Sequence, residues 1–260
     1  MNKSIIGLMA LMLVSTLLNA QQLPKQVILP NGWKLSPAGK SFGLGDLPLN
    51  IAVSSSGRLM AVTNNGQSTQ TIQLIDVKAE KVIDSIVIGK SWYGLTFSND
   101  EKYLYASGGH DNRIVKYGLI NNKLKQIDEF IMDKPWPTRV GPAGITLDEQ
   151  RNRLYVVTRE DKQLYAFDLS SKKIISKLGL DAEAYDCKIG KGGKELYVSC
   201  WGCDKVLVYD LEKNLWKKKT INSLEFKKSC NNFYYKKTID RINLFKRKYP
   251  NFDIKKINNK

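Results

Sequence analysis

The feature that most constrains the fold of this chain is a segment of paired short strands that recurs four times. The copies begin at Ile51, Leu95, Ile145 and Cys187, which lie 44, 50 and 42 residues apart. In each copy a second alternating apolar strand starts 21, 19, 19 and 19 residues after the first. Repeats of about 40 to 50 residues made of short strands are typical of a β-propeller, because one four-stranded blade cannot bury its faces alone. We therefore predict an all-β propeller with four readable blades, in which these four residues occupy equivalent positions on the inner strands.

The repeats also suggest how the whole chain is organised. We predict a signal peptide at 1–20, a lead-in with one strand at 21–47, propeller blades at 48–223, and a basic tail at 224–260. The signal rests on Lys3, the apolar run Ile5 to Val14, and Ala20 before a polar residue. Because sheet edges are usually covered, we expect Val27–Leu29 to complete the last blade.

The charge is concentrated at one end of the chain. Of the net charge of +16, residues 213–260 carry +12, from 15 Lys and Arg against three acids. A bias confined to one end is typical of a separate tail and not of a basic binding face. We therefore expect no nucleic-acid partner, and no membrane span after signal cleavage.

The tail itself allows two interpretations. It is rich in Lys, Asn, Ile, Phe and Tyr and lacks the glycine turns of the repeats. It is either the product of a frameshift or degenerate gene end, or a real basic tail that is irregular or helical. In both cases it supplies no fifth blade, and apolar alternation fades near Leu215 to Asn222. We therefore predict an incomplete ring.

The four cysteines, Cys187, Cys200, Cys203 and Cys230, indicate no particular chemistry. Four thiols in 260 residues do not make a disulfide framework, and CWGC lacks the second pair that a zinc site needs. We expect small residues at a strand end, no metal and no cofactor.

The repeats resemble the YVTN-type bacterial propeller family, through LYVVT at Leu154, LYVSC at Leu196 and LYASG at Leu104. Longer strings such as LPNGWKLSPAGKSFGLGDLPLNIAVS and GKSWYGLTFS resemble the N-terminal propeller of secreted proteins that carry a downstream phosphoesterase domain. That resemblance implies about seven blades and a catalytic partner. The chain would then be a truncated propeller without that partner.

The sequence contains no pattern that predicts a catalytic centre. The only histidine, His110, lies in a turn beside Asp111, and no nucleophile, base and orienting group occur together. The acid pair Glu160-Asp161 falls in a loop between strands, where we expect solvated side chains.

Binding is the better prediction, because propeller loops gather around one end of a central channel. The candidate ligand-binding residues are amphipathic aromatics near the inner strands and polar residues of the loops between second and third strands; they are Asn65, Trp92, Tyr93, Arg159, Tyr185 and Trp201. A guanidinium such as that of Arg159 can hold a carboxylate or phosphate with two parallel hydrogen bonds. The alternative is that the aromatics pack between blades and that Arg159 is solvated or structurally paired.

The functional expectation is a secreted or periplasmic, non-catalytic module that binds a protein or small molecule at the propeller mouth. One alternative is the accessory propeller of a secreted alkaline-phosphatase-like phosphoesterase. A second is a lactonase-like propeller enzyme, which the missing blades and the lack of a catalytic constellation disfavour.

Overall fold

The computed structural model describes residues 27–35, 43–190, 192–201 and 205–222, and these are almost entirely β-strand and turn. The chain falls into two compact units, Met1–Gly43 and Leu44–Lys260. The predicted signal, the tail from residue 224, Cys203 and Cys230 lie outside the described residues. Within the described part, no helix is both long and apolar enough to cross a membrane.

The first unit contains one small hairpin, in which β1 (Val27–Ile28) pairs antiparallel with β2 (Lys34–Leu35). The predicted role of Val27–Leu29 in the last blade is therefore wrong. The turn at Pro30-Asn31-Gly32 folds the strand back on its own neighbour, and the last blade has four strands of its own.

The second unit is a four-bladed β-propeller, as predicted, and each blade is a four-stranded antiparallel sheet with its strands in sequence order. The first blade comprises β3 (Pro48–Val53), β4 (Leu59–Asn64), β5 (Thr71–Asp76) and β6 (Lys81–Val87). The second comprises β7 (Leu95–Phe97), β8 (Tyr103–Ser107), β9 (Arg113–Ile120) and β10 (Lys123–Ile131). The third comprises β11 (Pro142–Asp148), β12 (Arg153–Thr158), β13 (Gln163–Asp168) and β14 (Ile174–Gly179). The fourth comprises β15 (Ala184–Ile189), β16 (Glu195–Cys200), β17 (Lys205–Asp210) and β18 (Leu215–Asn222).

The predicted equivalence of the four inner-strand residues is confirmed by the strand register. Each pairs with the residue eleven positions later on the second strand; the pairs are Ile51 with Val62, Leu95 with Ala106, Ile145 with Val156, and Cys187 with Val198. The inner hairpins therefore have the same length and register in all four blades.

Three buried clusters hold successive blades together. The first joins blades one and two through residues such as Leu74 and Leu95, and the second joins blades two and three through Ile114 and Ile145. The third joins blades three and four around Cys187. Each cluster forms where the apolar faces of two twisted sheets meet, which is the packing that the alternating sequence pattern predicts.

Polar contacts repeat at the rim that carries the inner hairpin turns. The Ser56 N–H donates to the Glu101 carboxylate, the Asn99 N–H to Glu149 Oε1 at 3.0 Å, and Arg151 Nη1 to the Gly193 carbonyl at 2.8 Å. Each contact ties the turn of one blade to the next blade. The loops that form the candidate site lie at the opposite rim, because adjacent strands are antiparallel.

The inner strand of the first blade is more exposed, at the position of Ile51, than the inner strands of the other blades. Ile51 is 57% exposed, whereas Leu95, Ile145 and Cys187, at the same register position, are at most 4% exposed. Among the described residues, no buried cluster joins the fourth blade to the first. A closed ring of four blades would need such a fourth interface, so the predicted incomplete ring fits this packing.

Candidate functional site: a cavity at the loop rim

The structure divides the six predicted ligand-binding residues into two groups of three. Asn65, Trp92 and Arg159 line a cavity of about 240 Å³ at the loop rim of the first three blades. The other three form a separate aromatic contact nearer the inner strands, described below.

Five connections build the rim cavity. They are the β4–β5, β8–β9 and β12–β13 loops within blades and the β6–β7 and β10–β11 links between blades. The lining residues are Asn65, Gln70, Lys90, Ser91, Trp92, Gly109, His110, Gly141, Pro142, Arg159 and Glu160. The cavity thus exists only because three consecutive blades present these loops at the same rim.

One wall of the cavity is braced by hydrogen bonds around Ser91. The Asn65 side-chain amide donates to the Ser91 carbonyl at 2.5 Å, and the Ser91 hydroxyl donates to Asn65 Oδ1 at 3.2 Å. The Ser91 N–H donates to Gln70 Oε1 at 2.6 Å. Both the amide nitrogen and the amide oxygen of Asn65 are therefore hydrogen-bonded to Ser91. We assign Asn65 a positioning role.

The lining also carries a cation placed over an aromatic ring. The Arg159 guanidinium carbon lies 5.1 Å from the centre of the Trp92 ring, within the range of a cation–π contact. The nearest charged partner of Arg159 is Glu160 Oε1, 3.8 Å from Nη2, and the guanidinium makes no hydrogen bond to any described residue. The Trp92 ring therefore holds the guanidinium in place while its N–H groups donate no hydrogen bond to a described residue.

Gly141 lets the third blade's loop approach the cavity floor. Its φ is +65°, and a Cβ atom there would lie 3.1 Å from Glu160 Cγ. The Gly141 carbonyl accepts the Arg159 N–H at 3.0 Å. A side chain at this position would strain the backbone and push on the segment that carries Arg159.

His110 and Glu160 are site residues that the sequence analysis missed. His110 Nε2 lies 3.0 Å from Glu160 Oε1 although the two residues are 50 positions apart. The expectation that Glu160 and Asp161 are solvated is wrong. The Glu160 side chain is only 19% exposed, and Asp161 contacts the Thr158 hydroxyl, the Tyr165 hydroxyl and Lys177. Aligning the repeats would have placed His110 and Arg159 in equivalent loops of adjacent blades.

The remaining predicted residues, Tyr93, Tyr185 and Trp201, pack on one another. The ring centres of Tyr93 and Tyr185 are 4.5 Å apart, and those of Tyr185 and Trp201 are 5.0 Å apart. Burial, followed by the nearby Asp186 carboxylate, raises the pKa of Tyr93. Burial also raises the pKa of Asp186 and outweighs the lowering by Lys188. This contact joins blades two and four, as the packing alternative for these aromatics requires, while Trp201 remains 58% exposed.

The charged side chains that line the rim cavity are those of Lys90, Arg159 and Glu160, together with the imidazole of His110. Lys90 is exposed and has no ion pair with a described residue, Arg159 has unused donors, and Glu160 is the one carboxylate among the described lining residues. Across the part of the chain that the structure describes, no three His, Cys, Asp or Glu side chains are grouped to hold a metal ion.

The comparisons with known proteins support the fold. No protein-family model matches the chain, and no curated protein matches it by sequence. Among solved structures, it is similar to the hydrazine synthase of Kuenenia stuttgartiensis, with a TM-score of 0.57 and 14% identity over 72% of this chain and 53% of that one. It is also similar to a functionally unknown protein from Desulfotomaculum acetoxidans, with a TM-score of 0.56 and 13% identity over 73% of this chain and 59% of that one. The likeness shows the fold alone. The matched region thus spans only a little over half the length of these solved chains.

Proposed function

We propose that this protein is a non-catalytic binding module that holds a carboxylate ligand in the rim cavity. The observation that carries the proposal is the Arg159 guanidinium, which lies over the Trp92 ring, donates no hydrogen bond to a described residue and has only the 3.8 Å ion pair with Glu160. An arginine fixed in this way is preorganised for two parallel hydrogen bonds to a planar anion.

The charge balance favours a carboxylate over a phosphate. The lining offers two cations, Lys90 and Arg159, but also the carboxylate of Glu160 beside Arg159. These three groups leave a net charge of +1, which a singly charged carboxylate neutralises and a doubly charged phosphate exceeds. Trp92 also gives the lining an apolar group that can contact the body of an organic acid.

The cellular context is part of the same proposal. The N-terminal sequence supports export to the periplasm or beyond the cell, and the strand motifs support a YVTN-type propeller. The accessory propeller of a secreted phosphoesterase remains the second candidate, favoured by the long strings from Leu29 to Ser54 and from Gly89 to Ser98.

Titration calorimetry with benzoate and inorganic phosphate tests the ligand class. We expect benzoate to bind the full-length protein with a Kd on the order of 1 mM, as befits so small a ligand, and phosphate to bind more weakly. Arg159→Gln should abolish benzoate binding. Arg58→Gln removes the same charge at the opposite rim and should leave binding unchanged. Benzoate binding that survives Arg159→Gln would contradict the proposal, as would no binding at all.

A turnover assay tests the non-catalytic part. We expect the purified protein to hydrolyse neither phosphate esters nor lactones. Hydrolysis that is lost on mutation of His110 or Glu160 would contradict this expectation, because these two groups form the carboxylate–imidazole pair of the cavity.

A further inference from the structure

The contacts of the rim cavity continue beyond it along the rim. We call the connected residues Arg159, Glu160, His110, Trp136 and Arg139 the rim row. Within it, Glu160 Oε1 lies 3.8 Å from Arg159 Nη2 and 3.0 Å from His110 Nε2. The His110 ring in turn lies 5.5 Å from the ring of Trp136, and the guanidinium carbon of Arg139 lies 5.0 Å from the Trp136 ring centre. The loop after β10 therefore adds a second arginine–tryptophan pair to the one in the cavity.

This second pair is held in place by its loop. Asn112, which is fully buried, donates from Nδ2 to the carbonyls of Lys134 at 2.6 Å and Thr138 at 2.8 Å. The Trp136 N–H donates to the His110 carbonyl at 3.0 Å. These bonds fix both ends of the loop against the second blade, so the pair has a defined position relative to the cavity.

The second pair is also open to a partner. Trp136 is 55% exposed, and Arg139 is exposed with no hydrogen bond or ion pair to a described residue. Exposed tryptophan and arginine dominate the energetics of protein recognition sites, and unpaired cations select partners of opposite charge. Two such pairs with Glu160 and His110 between them offer two anion subsites on one surface.

We propose that this rim row binds an acidic peptide segment through two carboxylates, one in the rim cavity at Arg159 and one at Arg139. The inference rests on the proposed function for the first carboxylate and adds the second subsite and the class of partner. An extended chain advances about 3.3 to 3.6 Å per residue, so a peptide can place two acidic side chains at a fixed separation along the row. The peptide between them crosses His110.

A spacing series of capped peptides tests the two-subsite arrangement. The probes are glycine peptides with one glutamate, or with two glutamates separated by one to four glycines. At the best spacing, we expect the two-glutamate peptide to bind the full-length protein about tenfold more tightly than the one-glutamate peptide, because the second contact is intramolecular. One spacing should be preferred, since both arginines are held by stacking.

Two variants separate this inference from the proposed function. Arg159→Gln should weaken binding of both peptide types, whereas Arg139→Gln should remove only the tenfold gain from the second glutamate. Arg58→Gln is the matched control, and unchanged thermal unfolding shows that each variant is folded.

The possible results distinguish the two proposals. If Arg159→Gln weakens binding and Arg139→Gln does not, the second subsite is wrong while the carboxylate site stands. If neither variant matters, both proposals fall. If a galacturonate dimer binds in an Arg139-dependent way and the peptides do not, the partner is an acidic glycan and the peptide assignment is wrong.

Discussion

Gly144 on β11 lies directly against Asp186 on β15, so close that a Cβ atom at position 144 would fall 2.4 Å from Asp186 Cα. The contact joins the inner strands of blades three and four. Gly94, one repeat earlier, also lies against the next inner strand, because the carbonyl oxygen of Ala143 would lie 2.3 Å from an added Cβ. Glycine at this position of the repeat sets how closely adjacent inner strands approach.

This contact makes Gly144→Ala a sharp test of the blade packing. We expect the free energy of unfolding to fall by about 2 kcal/mol or more, because backbone atoms must move to admit the methyl group. Gly179→Ala is the control, since a Cβ at position 179 meets no atom within 4 Å. Equal stability of the two variants in urea denaturation would contradict the close approach.

Ile51 and Ile145 differ in exposure, so replacing each with alanine should lower the free energy of unfolding by different amounts. Ile145→Ala should lower the free energy of unfolding by about 2 to 4 kcal/mol, because it leaves a cavity between blades two and three. Ile51→Ala, at the equivalent register position but 57% exposed, should cost less than about 1 kcal/mol. Chemical denaturation of both variants measures the difference. A similar loss for both would show that Ile51 is covered like its counterparts and that the ring is not open there.

Asp186 should make the protein less stable as the pH rises. Burial raises the pKa of its carboxyl in the folded state, so the folded protein retains a proton that the unfolded chain has already lost. Stability therefore falls as the pH increases from the unfolded pKa, about 3.9, through the raised folded pKa. Asp186→Asn should unfold at a higher temperature than the wild type at pH 7.

The control is the pH dependence of the gain in unfolding temperature that Asp186→Asn produces. The advantage of Asp186→Asn should shrink toward pH 3, where the wild-type carboxyl is protonated in both states. Asparagine is compatible with the site, since Asn50 at the equivalent position accepts the next N–H at 2.8 Å just as Asp186 accepts that of Cys187 at 2.9 Å. A gain that is the same at both pH values would show that burial of the charge is not its cause.

Asn112 should hold the second arginine–tryptophan pair. Asn112→Ala removes two hydrogen bonds to loop carbonyls and the acceptor of the Gly141 N–H, and should cost about 2 to 4 kcal/mol because buried backbone groups lose their partners. Hydrogen exchange should also become faster in residues 133–141 than in the strands of the same blade. Unchanged protection of this loop would contradict the positioning role of Asn112.

The sequence predicts the fold well because the spacing within each repeat determines how its strands pair. Ile51, Leu95, Ile145 and Cys187 align through their spacing alone, and a hairpin of constant length fixes their pairing. The prediction for the lead-in strand is wrong because a Pro-Asn-Gly turn can pair a strand locally, and edge-covering arguments cannot exclude that choice.

The candidate site is only half predictable. Repeat alignment places Asn65, Trp92 and Arg159 at one rim, and the structure brings them to one cavity. Repeat alignment cannot predict the contact between Glu160 and His110, because that contact crosses between blades and depends on the direction of the side chains. Tyr93 and Tyr185 are aromatic and near the inner strands in sequence, but that position equally suits packing across the blades.

The most direct test of carboxylate binding is an NMR titration of the arginine Nε–Hε groups with benzoate. The Arg159 signal is assigned by its loss in Arg159→Lys. We predict a saturable shift of this signal, with a Kd that matches calorimetry, and none for Arg58. A shift of Arg58 equal to that of Arg159, or an Arg159 signal that does not move, would contradict the assignment of the rim cavity as a carboxylate site.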